Sequence, residues 1–370
     1  MAPFSPLRWA LIASPLAFLF SACLFETQSD PEPDYGPEFA LLQASDNPLA
    51  STYTLDNRST LVGLQFAFQT MNYTGEVDSN VAAFRDQTGG YPALVGAYFD
   101  LSSQSAHLKA FLNAAHANGC IPYVTLDPKD WDEPDIKYQK TFTGLINAGK
   151  FDSALAGLAS ALRDFGHPVL LRYAHEMNGD WYPYAGGGDA DGDGESDGPE
   201  TFIRAWRHVH DLFTAHGAEN LLWVFCPNAE DFPSADWNRP FRYFPGRDYA
   251  DLIFLDAYEH FEKKPQRLDE TMAHFYGELG GFLRQERLAG DSLPLPFGLG
   301  EFGTNRTDKP SKAKWYAEAL DSLAADERVK FHVLYNGQNG GEDFSLRGLG
   351  DLIVAAYEKL RFQFRLFAPA

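Results

Sequence analysis

Stretch 168–184 reads PVLLRYAHEMNGDWYPY, an apolar run that ends abruptly in Arg172, His175, Glu176, Asn178, Asp180 and Trp181. Apolar, β-rich residues followed by a polar aromatic loop describe a buried strand delivering chemical groups to its own C-terminal end. Strict alternation along a strand would put Arg172, Ala174 and Glu176 on one face, with a cation below a carboxylate. Such a pair facing an interior is expensive unless it works or is fully satisfied; a structural ion pair is the plainer alternative. A second carboxylate, Glu301, follows the apolar run LPLPFGLG, where a solvated charge is not expected. Two carboxylates held across one pocket are the equipment of glycoside hydrolysis, one protonated to serve the leaving oxygen, the other ionised to attack carbon or activate water. At the rim of a fold, Glu301 could equally cap a helix or join a salt bridge.

The elements that must position these groups alternate along the chain. Apolar, β-rich runs occur at 61–68, 93–99, 121–126, 168–174, 221–226, 252–258, 295–302 and 330–335, with helical spacing at 105–118, 151–165, 200–216, 268–288, 312–323 and 346–362. Eight strands with helical crossovers predict a (β/α)8 TIM barrel, an α/β fold with one catalytic domain over 48–370. The first and fifth crossovers carry only weak helical patterning, which leaves an open doubly wound sheet as the alternative. In a barrel, residues at the C-terminal strand ends carry the chemistry. Glu176, Asn228, Asp256, Tyr258 and Glu301 stand there; Asn228 and Asp256 could bind hydroxyls or cap loops.

Composition sets the outer limits. The chain has 370 residues, 45% hydrophobic and 15% aromatic, enough for a large core. Its formal charge of −21 argues against nucleic acid or an anionic membrane face as partner and leaves neutral polymers open. Residues 1–22 read as an export signal, with Arg8 ahead of an apolar stretch too short to span a bilayer, and LFSAC ending in Cys23 resembles a lipoprotein cleavage site. Cys23 is then the lipidation site, 23–47 an acidic, Pro-rich tether, and the destination the cell surface, the outer membrane or the medium. Cys120 and Cys226 fall near opposite strand ends and predict no disulfide.

One acidic loop has a signature of its own. Asp189, Asp191, Asp193, Glu195, Asp197 and Glu200, with Gly194 at the sixth place, follow the twelve-residue calcium pattern. No helix enters it and Ser196 replaces the usual apolar residue, so a solvated acidic loop is the competing reading. Calcium here would be structural, and no cofactor is expected for catalysis.

The segments LLRYAHEMNGDWYPY, LLWVFCPN, LDAYEH and GLGEFGT, at successive strand ends, resemble glycoside hydrolase family 26, the β-mannanases and related endo-β-glucanases, over about residues 48–365. The resemblance implies a retaining enzyme with Glu176 as general acid/base and Glu301 as nucleophile. It implies that His175 binds sugar at the cleavage point, that Trp181 forms an aromatic platform, and that Tyr258 hydrogen-bonds the nucleophile. Arg172 would hold a nearby carboxylate ionised, and Tyr182 would help desolvate the acid. Two departures bear on the glycan. After strand 3 the chain reads TLDPKDWDE, where the family has a His or a Trp-Glu-Pro run, so Asp127 and Trp131 leave the cleavage subsite open. Strand 8 ends in LYNGQNG without the expected Trp, so that either Tyr335 supplies the stacking face or the sugar there is held differently. The expectation is a monomeric endo-β-1,4-mannanase, with a mixed-linkage β-1,3-1,4-glucanase as alternative and a non-catalytic glycan-binding surface lipoprotein as the alternative of another class.

Overall fold

The computed structural model describes residue 49 and residues 60–70, 72–102, 105–130, 142–186, 198–287, 295–339, 341–349, 351–358 and 362–363. Eight strands lie where the apolar runs predict: β1 Thr60–Gln65, β2 Leu94–Asp100, β3 Ile121–Asp127, β4 Val169–Tyr173, β5 Leu221–Phe225, β6 Leu252–Glu259, β7 Phe297–Thr304 and β8 Val329–Tyr335. Each pairs in parallel with the next, and β8 pairs back to β1 from Leu61↔Phe331 to Gln65↔Tyr335. That closure is a (β/α)8 barrel and removes the open-sheet alternative. Two side-chain layers follow from strand alternation. Leu94, Ile121, Tyr123, Leu170, Val224, Phe254, Phe331 and Val333 fill the interior, while Val62, Val95, Val124, Leu171, Phe225 and Leu255 pack outward with the helices.

The crossover helices are α1 Tyr73–Thr88, α2 Ser105–Ala117, α3 Phe142–Asn147, α4 Asp152–Phe165, α5 Gly198–Ala215, α6 Leu268–Arg287, α7 Lys309–Ala325 and α8 Asp351–Tyr357. The first crossover corrects the sequence expectation, because it is helical for sixteen residues. Its buried stripe, Val77, Val81, Phe84 and Thr88, has proper helical spacing, but polar neighbours blur it in sequence. Asn72 caps it, accepting from the Gly75 amide at 3.1 Å. Helix α7 starts three residues before its apolar pattern because Asp308 caps it and Pro310 fits the first turn. The fifth crossover is as weak as it reads, three short 3₁₀ turns at Asp236–Asn238, Pro240–Tyr243 and Arg247–Tyr249. Cys120 and Cys226 are both fully buried, the first just before the start of β3 and the second just past the end of β5.

Candidate active site

The alternation argument for Glu176 fails in detail. Strand β4 stops at Tyr173, and Ala174 and Glu176 both take left-handed backbone, with φ of 49° and 54°. Each such non-glycine residue stores about 1 to 3 kcal/mol, held by surrounding contacts. Here the Ala174 amide donates to the Leu126 carbonyl at 3.0 Å and the Glu176 amide to the Cys226 carbonyl at 2.8 Å. The turn thus hangs on β3 and on the end of β5, and swings the Glu176 carboxyl over the barrel mouth. Asn178, fully buried, ties the turn to the next loop. It donates to the Asn228 carbonyl at 2.9 Å and to Asp231 at 3.0 Å, and accepts from the Asn228 amide at 2.8 Å.

Glu301 depends on a second irregularity. Leu255 pairs with Leu299 but Asp256 pairs with Glu301, so Gly300 is one residue too many in β7. Leu299 and Phe302 both pack outward, and strict alternation from Leu299 would have turned Glu301 outward as well. The bulge turns it inward. A Cβ at Gly300 would stand 2.6 Å from Asp256 Oδ1, 2.7 Å from Cys226 Sγ and 2.9 Å from the Tyr123 hydroxyl, so only glycine fits.

The two glutamates line one cavity of about 740 Å³, with Tyr98, Asp127, Lys129, His175, Trp181, Tyr182, Asn228, Phe232, Tyr258 and Tyr335 around them. Their surroundings differ. Glu301 receives Arg172 and the Tyr258 hydroxyl, and accepts from Tyr98 at 2.6 Å. Burial works to raise its pKa, but the Arg172 charge, His175 and the two phenolic donors hold it below the ordinary carboxylate value. Arg172 also grips Asp256 through one nitrogen at 2.8 and 3.0 Å. Asp256 lacks the phenolic donors, and burial pushes its pKa up, opposed by Arg172, whereas that of Glu301 is held down. Among the described residues Glu176 has no such cation contact: it accepts from Trp181 Nε1 at 2.7 Å and from Asn228 Nδ2 at 2.7 Å. Burial raises its pKa, opposed by His175 and reinforced by the charge on Glu301.

Most of the sequence candidates meet here. His175 lies between Asp127 and Tyr182, each 3.0 Å from one ring nitrogen. Trp181 is 44% exposed and inclined against the equally exposed Phe232, with centroids 5.8 Å apart. Tyr335 lines the cavity edge-on to Tyr258. Asn228 and Asp256, ambiguous in sequence, contact Glu176 and Arg172 directly. Trp131, Cys23 and the acids at 189, 191, 193, 195 and 197 lie outside the described residues; Glu200 sits exposed in the first turn of α5, which begins at Gly198. Tyr98 was missed, although its place on β2, in step with Leu94 and Gly96, marks it as interior. Phe232, His260, Lys263 and Lys264 were missed too, since nothing periodic announces a loop residue. Among the described residues one acid and imidazole group could hold a cation, His175, Asp256 and Glu301, within 4.8 Å of one another. Arg172 already bonds two of its members.

The family model described as glycosyl hydrolase family 26 matches residues 136–277. An endoglucanase H from Acetivibrio thermocellus is 25% identical over 76% of this chain and 29% of its own length. A mannan endo-1,4-beta-mannosidase from Bacillus subtilis is 34% identical over 29% of this chain and 28% of its own. The chain therefore covers less than a third of either relative. The solved catalytic domain of a Bacillus sp. JAMB-750 GH26 endo-beta-1,4-mannanase superposes with a TM-score of 0.61 at 18% identity, over 92% of this chain and 97% of that one, a likeness of fold.

Proposed function

This chain is a relative of the glycosyl hydrolase family 26 proteins, and on that premise we propose that it hydrolyses a β-linked polysaccharide, β-1,4-mannan first, with retention of configuration. The observation that carries the reading is the opposed environment of two glutamates in one cavity: Glu301 held ionised by Arg172, Tyr98 and Tyr258, Glu176 pushed toward its protonated form by burial. In the first step an oxygen of Glu301 attacks the anomeric carbon. The bond to the leaving sugar breaks with its electron pair on the glycosidic oxygen, which takes the proton of Glu176. In the second step Glu176 removes a proton from water, the water oxygen bonds to the anomeric carbon, and Glu301 departs as carboxylate. Trp181 and Phe232, exposed at the cavity mouth, offer apolar faces to flanking sugars.

Mixed-linkage β-glucan is the second substrate reading. It is favoured by the relative that aligns over most of the chain, which is named an endoglucanase, whereas the mannosidase matches are local. Hydrolysis of mannan, lichenan and β-1,3-xylan, with product anomers followed by proton NMR, separates these readings. Initial release of β-anomer from mannan supports the first; α-anomer or no product removes it. A non-catalytic glycan-binding lipoprotein would bind without turnover, and would have no need of the opposed carboxyl environments. The leader at 1–22 and Cys23 support export with a lipid anchor, testable by palmitate labelling of wild type against Cys23→Ala.

A further inference from the structure

Asp127 ends β3 on the floor of the cavity, almost fully buried, and three side chains converge on it. His175 Nδ1 lies 3.0 Å away, the Tyr184 hydroxyl stands at 3.2 Å and shares its proton with the His175 carbonyl at 2.9 Å, and Lys129 Nζ stands at 3.3 Å. All three also hold Tyr182. Its hydroxyl is 3.0 Å from His175 Nε2, its ring stacks on Tyr184 at 5.0 Å and 9°, and Lys129 Nζ lies 4.5 Å from the ring centroid. Tyr182 in turn lines the cavity beside both glutamates.

We propose that Asp127 is a positioning residue that fixes the proton on His175 Nδ1 and thereby makes the Tyr182 hydroxyl a reader of sugar hydroxyls. The inference rests on the hydrolase reading for its substrate, but its proton arrangement is independent of it. An ionised carboxylate accepts only, so the imidazole nitrogen facing it must donate. Burial alone would raise the Asp127 pKa, yet His175, with Lys129 and Arg172, holds it down at about 2, so the carboxylate is ionised through the working range. Any change in His175 is confined to Nε2. When Nε2 is bare it accepts from Tyr182, whose oxygen offers the cavity lone pairs and selects a donating sugar hydroxyl. When Nε2 carries a proton it donates to Tyr182, whose O–H turns to the cavity. The other titratable groups around His175 are Tyr98 from β2, whose ring is 5.9 Å away, Glu176 and Tyr184 from the β4 turn, Lys129 after β3, and Asp256 from β6 and Glu301 from β7, each with a carboxylate oxygen within 4.8 Å of the imidazole.

Two measurements test this. Nitrogen-15 NMR of the wild-type imidazoles, with the His175 signal assigned by its loss in His175→Gln, should show Nδ1 protonated at every pH from 5 to 8. A bare Nδ1 overturns the proposal, whether or not any glycan is cleaved. Asp127→Asn should lower kcat/KM about 10- to 100-fold, as loss of one buried hydrogen bond to a charged group allows. Tyr182→Phe should raise KM with a smaller effect on kcat. Because Asp127 acts through Tyr182, the double variant should lose little more than Asp127→Asn alone. Additive losses would mean that Asp127 only supports the fold. If wild type cleaves no glycan, the hydrolase reading fails while the NMR arm still decides the proton.

Discussion

The guanidinium of Arg172 donates to Glu301 from 129 positions away in sequence, joining the end of β4 to the bulge in β7. Arg172 is fully buried and Glu301 nearly so, open only to the cavity, and the cation lies where it can hold the carboxylate charged before any substrate arrives. Four expected outcomes rest on the way this pair and the barrel around it are built, and a fifth on the acidic stretch 189–200.

Glu301→Gln should abolish hydrolysis of polysaccharide and of activated aryl glycosides alike, by at least about 1000-fold in kcat/KM, because attack itself is lost. Glu176→Gln should lose polysaccharide activity to a similar degree yet keep much of its first step on an aryl glycoside whose leaving group needs no proton. Comparing dinitrophenyl glycosides with polymer checks the division of roles; equal losses on both substrates for Glu176→Gln would reverse it.

Removing the cation should move the acid limb. The Glu301 pKa is held down chiefly by Arg172 against burial, so in Arg172→Met it rises, and the acid limb of kcat/KM moves to higher pH. Loss of one member of a buried ion pair should also lower stability by about 3 to 5 kcal/mol. Tyr98→Phe should shift the same limb in the same direction and lower kcat/KM about tenfold, as befits one hydrogen bond to a charged group. An unmoved limb in Tyr98→Phe would mean that the phenol does not share the carboxylate's charge.

Asp127 should make stability sensitive to acid. Its folded pKa of about 2 lies below the 3.8 of an ordinary aspartate, so its contribution is present above pH 4 and disappears as pH falls through 2. The shift corresponds to about 2 kcal/mol. Urea unfolding of wild type and Asp127→Asn should therefore differ most near pH 6, with the gap closing by about that amount by pH 2.

Gly300→Ala should be among the most damaging one-carbon changes in the barrel. The added methyl meets Asp256, Cys226 and Tyr123 at 2.9 Å or less, and overpacking of this kind lowers stability by about 1 to 3 kcal/mol. Because the bulge aims Glu301, kcat/KM should fall more steeply than the thermal midpoint, which parallel melts and assays would reveal.

The acidic stretch 189–200 is expected to take calcium as a structural ion. Adding calcium to chelator-treated protein should raise the thermal midpoint, with the increment growing with the logarithm of free calcium, as mass action requires. A midpoint indifferent to calcium and chelator would leave the stretch as a solvated loop.

The sequence by itself determined the strands and the inventory of groups at their ends. Runs such as LLRY and LPLPFGLG are local patterns of apolar, β-forming residues, and a carboxylate placed just after one is visible without knowing what it faces. The fifth crossover was also legible as weakly helical, while the helix of the first was hidden by the polar residues between Val77, Val81 and Phe84. The tertiary structure alone decided where the carboxylates point. Alternation misplaces Glu176, whose turn is set by carbonyls of Leu126 and Cys226, and would have pointed Glu301 away from Asp256 without the extra Gly300. The same holds for Tyr98 reaching Glu301 and for Asp127 gathering His175, Tyr184 and Lys129. Register, bulges and left-handed turns arise when closure of the barrel brings distant strands into pairing, and no short-range pattern in the chain carries that information.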